Sequence, residues 1–82
     1  MTARACQGLA HAVFLDELVR LRMQASLTPQ ELAQRFGVKV CIVTRAEAGM
    51  RRVGVVELQL LAFACGSTLE DFGRRLDARV PQ

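Results

Sequence analysis

Apolar residues recur along this chain at intervals of three and four, and no stretch alternates long enough to make a strand, so the pattern predicts helices only. Phe14, Leu18, Leu21 and Ala25 fall at i, i+4, i+7 and i+11, with Leu15 beside them, and predict a helix from about Leu9 to Ala25. Leu32, Ala33 and Phe36 form a second apolar side. A third short amphipathic stretch begins at Lys39, with Val43 as its buried residue. Val55, Leu58, Leu61 and Ala62 make the inner face of a fourth helix ending near Cys65, and Leu69, Phe72 and Leu76 the apolar side of a fifth. The expected fold is all-α, a compact five-helix bundle. Gly8 marks the boundary of a flexible N-terminus over 1–8, residues 9–78 form a single domain, and 79–82 are a tail in which Pro81 prevents continuation.

The polar and small residues between these faces act as punctuation. Thr28 precedes Pro29, which at the first helical position lacks only an N–H that no helical carbonyl would accept, and Glu31 follows at the third. This is a capping box, and Leu27 is placed to staple onto Leu32. Gly37 tolerates the positive φ of a sharp exit, Gly49 ends the third stretch, and Gly66 ends the fourth. Thr68 caps the fifth helix, with Asp71 at its third position. Two short helices joined by a tight turn containing glycine, from Leu27 to Gly49, make a helix-turn-helix layout.

Leu21-Arg22, Leu27-Thr28, Glu31-Leu32-Ala33, Gly37-Val38, Val43-Thr44-Arg45, Glu47 and Gly49 together resemble the Cro/XRE family of helix-turn-helix regulators, over about Leu18 to Phe72. The resemblance implies a phage-repressor-like DNA-binding domain. It further implies that Arg22 pairs with Glu47, tying the first helix to the end of the third. Arg22 lies on the flank of an apolar stripe, where an unpaired buried charge costs on the order of 3–5 kcal/mol, which independently asks for a partner. The alternative is that both side chains are solvent-exposed.

Charge sharpens the picture without deciding it. The 82 residues carry a formal net charge of +3, and within 35–52 Arg35, Lys39, Arg45, Arg51 and Arg52 face only Glu47. Such a cluster suits phosphate contact; a solvated charged face is the alternative. Cys6, Cys41 and Cys65 have neither a CxxC pair nor zinc spacing, and an odd cysteine count without a signal peptide points to reduced thiols in a cytoplasm; that the cytoplasm is bacterial, or the chain phage-derived, is what the family resemblance implies. No apolar run reaches membrane-spanning length, so no membrane is expected. His11 is a solitary histidine, there is no nucleophile–base constellation, and Glu70-Asp71 match the usual acidic start of a helix. No enzyme, metal or cofactor is expected.

By resemblance, the helix at about 39–48 enters the DNA major groove, with Lys39, Val40, Cys41, Thr44 and Arg45 facing bases. Arg45 is suited to a bidentate contact with guanine. Lys39, Arg51 and Arg52, with Gln30 or Arg35, would hold phosphates of double-stranded DNA. The chain departs from the family pattern at Pro29 and Val40, where many members carry glutamine. The run Val40-Cys41-Ile42 is apolar where polar groups are usual, with Ile42 expected to face outward. Leu60 and Phe63 lie off the inner face of the fourth helix, and with Phe72 they are candidate contacts of a homodimer; the alternative is that Leu9 and Val13 cover them. Two functions remain open: a dimeric DNA-binding transcriptional regulator, expected to be a repressor, or a protein-interaction module (adaptor, antirepressor or co-regulator) on the same fold. A thiol sensor at Cys41 is a lesser alternative.

Overall fold

The computed structural model describes residues 3–80, with side chains from residue 8 onward. Five helices follow one another: α1 (Ala3–Gln24), α2 (Pro29–Phe36), α3 (Val40–Glu47), α4 (Val55–Ala64) and α5 (Leu69–Arg79). None of them is long and apolar enough to cross a membrane. The first helix begins well before Leu9. Ala3, Ala5 and Ala10 are strong helix formers, and one Gly8 costs only about 1 kcal/mol against them, so it does not break the helix. Cys6, as a side chain, and Pro81 lie outside the described residues.

Local chemistry sets the helix starts. Thr28 Oγ1 accepts from the Glu31 amide at 3.1 Å while the Glu31 carboxylate accepts from the Thr28 amide at 3.0 Å, completing the capping box. Thr68 Oγ1 accepts from the Asp71 amide at 3.1 Å. The exits share one device, an i+5 amide reaching back over a left-handed residue. Val38 donates to Ala33 over Gly37, Met50 to Arg45 over Gly49, and Ser67 to Ala62 over Gly66. At the end of α1 the same bond runs from Leu27 to Arg22, but the left-handed residue is Ser26, at φ 58°. Gly49 is favoured by its φ of +76°, and a Cβ there would stand 2.9 Å from Leu15 Cδ1, so that the tip of the leucine would have to shift.

The elements pack into two joined cores. Leu27, Leu32, Ala33, Val43 and Leu61 fill the space between α2, α3 and α4. Leu18, Leu21, Ala62 and Phe72 fill that between α1, α4 and α5, and Val53 and Cys65 touch both. Phe72 is 2% exposed and meets Phe14 edge to face at 5.7 Å, so it is a core residue and not a contact for another molecule. Val55, expected on the inner face of α4, is exposed: it opens the helix, and the inward positions are Leu58, Leu61, Ala62 and Cys65. The closure of α5 onto α1 is ionic as well as apolar. Arg79 Nη1 donates to Glu17 at 2.6 Å and to Asp16 at 2.8 Å, and this pairing satisfies Glu17, which is buried.

Candidate nucleic-acid interface

The helix-turn-helix pair is held rigidly from behind. Arg22 Nε donates to Glu47 Oε2 at 2.9 Å and Arg22 Nη2 to Glu47 Oε1 at 3.0 Å, a bidentate clamp from α1 to the last residue of α3. The third nitrogen, Nη1, donates to the Leu27 carbonyl at 2.9 Å, in the turn that enters α2. One side chain therefore fixes three elements: the end of α1, the entry to α2 and the exit of α3.

On the outer side, α3 presents a mixed surface. Lys39, Val40, Thr44 and Arg45 are exposed, as is Gln30 at the start of α2. Cys41 and Ile42 are half-buried, so Ile42 does not face outward as expected: α3 packs against both α2 and α1, which covers more than the one side that Val43 occupies. The apolar run seen in the sequence thus reduces to Val40 at the surface. The Thr44 hydroxyl turns inward along its own helix toward the carbonyls of Val40 and Cys41, at 3.3 and 3.2 Å.

The cations divide sharply by position. Arg20, Arg22, Arg51, Arg74, Arg75 and Arg79 each pair with a carboxylate. Arg35 donates to the Ala64 carbonyl at 3.2 Å, closing the end of α4. Lys39, Arg45 and Arg52 have no carboxylate partner among the described residues, and all three are exposed. Arg51, expected to be free alongside Arg52, is instead tied to Glu57 in the first turn of α4, which raises the pKa of its guanidinium.

The helices α3 and α4 both start without a side-chain cap. Lys39 occupies the N-cap of α3 and Gly54 that of α4, and neither supplies a side-chain acceptor. Their first amides are left to solvent or to a ligand, and the positive end of each helix dipole adds to the free cations. Here the sequence carried a readable signal, since an N-cap lysine is the residue type that a helix start ordinarily avoids. The Arg51–Glu57, Arg35–Ala64 and Arg79–Glu17 contacts had no such signal: they join segments whose relative placement only the fold defines.

A second concavity offers less chemistry. A groove of about 350 Å³ lies between the end of α1 and the start of α5, over Cys65. Its polar groups are spent on one another: Arg75 binds Asp71 and Gln24, and Asp71 accepts from Ser67 at 3.0 Å. Burial pushes the Cys65 thiol pKa up, away from the reactive thiolate.

No family model matches the chain, and no curated protein sequence does. A solved structure does: the "XRE-family like protein from Pseudomonas syringae pv. tomato str. DC3000" superposes with a TM-score of 0.86 at 27% identity, covering 95% of each chain. The overlay spans all five helices and not the helix pair alone. This chain therefore has an XRE-like, all-α helix-turn-helix fold.

Proposed function

We propose that the chain is a DNA-binding transcriptional regulator, a repressor acting as a homodimer in the cytoplasm and reading the major groove with α3. The observation that carries this reading is the distribution of charge: among the described residues, Lys39, Arg45 and Arg52 have neither a carboxylate nor a carbonyl partner and fall in α3 or within five residues of its end, whereas Arg35 caps α4 and the other arginines are paired with carboxylates. A folded chain that leaves neighbouring cations exposed and unpaired offers the positive charge a polyanion needs. The two uncapped helix starts support the same reading, because their amides suit phosphate oxygens. Arg45 is the base reader, Val40 offers apolar contact to a thymine methyl, and Lys39 and Arg52 hold phosphates, with Gln30 alongside. Arg51 contributes less, since Glu57 already holds it.

The test is an anisotropy titration against duplex DNA at two salt concentrations, followed by recovery of bound sequences from a random pool. Affinity falls steeply with salt, each neutralised phosphate adding about −0.9 to the log–log slope. Arg45→Ala relaxes discrimination by about 1–3 kcal/mol at one base position. Arg52→Ala weakens binding to all sequences alike and lowers the slope by about 1. Duplex affinity that ignores salt would overturn the reading. The rival protein-binding face loses ground because Cys41 and Ile42 are half-buried, which leaves Val40 as the one fully exposed residue of that run.

A further inference from the structure

Glu57 is the one carboxylate between Glu47 and Glu70, and Glu47 is taken by Arg22. The other charged residues from Arg35 to Ala64 are all cations: Arg35, Lys39, Arg45, Arg51 and Arg52. An acid at the third position of a helix has a local use, as in α2, where Glu31 turns back to the Thr28 amide. Glu57 holds the same position in α4, but its Oε1 accepts from Arg51 Nη1, six residues back and outside the helix.

The Arg51–Glu57 pair is held but not sealed. One nitrogen meets one oxygen, where Arg22 gives Glu47 two. The Arg51 side chain is 35% exposed and that of Glu57 23%. A single-point pair so open to water is weakly held, and another anion can take the place of the carboxylate. The pairing raises the guanidinium pKa, so Arg51 keeps its charge whichever anion holds it.

We propose that Glu57 is an internal stand-in for a backbone phosphate: it occupies Arg51 in the free chain, and duplex DNA must displace it to gain that contact. The inference rests on the DNA-binding reading above and names a residue that limits it. Arg51 lies four residues past the end of α3 and beside Arg52, which has no carboxylate of its own among the described residues. Such a cation positions the duplex through its phosphates and reads no base. Glu57 therefore restrains the sequence-independent part of affinity, the part that would hold the chain on unrelated DNA. It acts in two ways at once. The carboxylate takes a donor nitrogen, and its charge opposes an approaching phosphate.

Anisotropy titrations of a random-sequence duplex test this, with wild type, Glu57→Gln and Arg51→Gln/Glu57→Gln compared at two salt concentrations. Glu57→Gln keeps the size of the side chain and the wild-type helical circular dichroism. It binds more tightly and steepens the log–log salt slope by about 0.9, one added phosphate. Its advantage over wild type shrinks by about 3.5-fold from roughly 50 to 200 mM salt. The double variant, equal to wild type in net charge, returns to the wild-type slope. A double variant that falls one phosphate below wild type overturns the proposal, because Arg51 would then contact DNA with Glu57 in place. Salt-sensitive binding by wild type with no change in Glu57→Gln also overturns it and leaves the DNA reading standing. If Glu57→Gln alone binds the duplex, the restraint is upheld in its strongest form; if neither binds, both readings fall.

Discussion

Lys39 stands where a helix start ordinarily carries an oxygen. Its backbone has the extended N-cap conformation, at φ −72° and ψ 148°, but its side chain leaves the amides of α3 unsatisfied and adds a cation to the positive end of the dipole. Thr28 and Thr68 show that the same chain caps helices well where nothing else is asked of them. Lys39→Ser is expected to raise stability by about 1 kcal/mol in chemical denaturation. The same substitution should lower duplex affinity and reduce its salt slope by about 1. A variant more stable and equally tight on DNA would remove Lys39 from the interface. At this scale much was legible from sequence, because caps and exits are written within six consecutive residues. Phe72 shows the limit. Its place on the apolar side of α5 is readable in the sequence, but that α1 and α4 both close over it is not, and the sequence alone leaves it free to be a surface contact. Gly8 shows another: a lone glycine among alanines is a cost to a helix and not a stop.

At the scale of elements, the Arg22–Glu47 clamp decides how α1, α2 and α3 sit together. Both side chains are about 15% exposed, with Arg22 at 15% and Glu47 at 14%, so the pair lies far nearer the interior than a surface bridge. Glu47→Ala would leave Arg22 half-buried with only the Leu27 carbonyl to satisfy it, at an expected cost of about 3 kcal/mol. Restoring packing in the double variant Arg22→Met/Glu47→Ala should recover most of that loss, since replacing a buried pair by apolar groups is often close to neutral. Paired denaturation curves of the two variants check this. The pair was legible because a charge beside an apolar stripe demands a partner and a family resemblance named one. The Arg51–Glu57 and Arg79–Glu17 pairs were not, because several carboxylates were equally available until the helices were placed.

At the scale of the whole molecule, the ion pair that joins α5 to α1 and the carboxylate that caps α2 make stability depend on acid. The hydrogen bond from Arg79, aided by Arg20, holds the Asp16 carboxyl below the ordinary carboxylate range, and the Thr28 amide does the same for Glu31. Both groups have folded pKa values below their unfolded ones. Each therefore adds stability at neutral pH and loses that contribution as pH falls through the usual carboxylate range towards the folded value. Stability should be flat from about pH 7 to 5 and decline below about pH 4, as followed by thermal melts. Arg79→Gln should flatten that decline in its Asp16 part.

The helix exits described above have a consequence in time. Each of the four is closed by a bond spanning five residues, so each can form before any two helices meet. The chain can thus divide into its segments locally, and the widest search left is the return of α5 to α1, 62 residues apart at the Arg79–Glu17 contact. Loop-closure entropy grows only logarithmically with that distance, and helical domains built from near neighbours fold within microseconds to milliseconds. The turns that keep α2 and α3 short also set the pace at which the domain assembles.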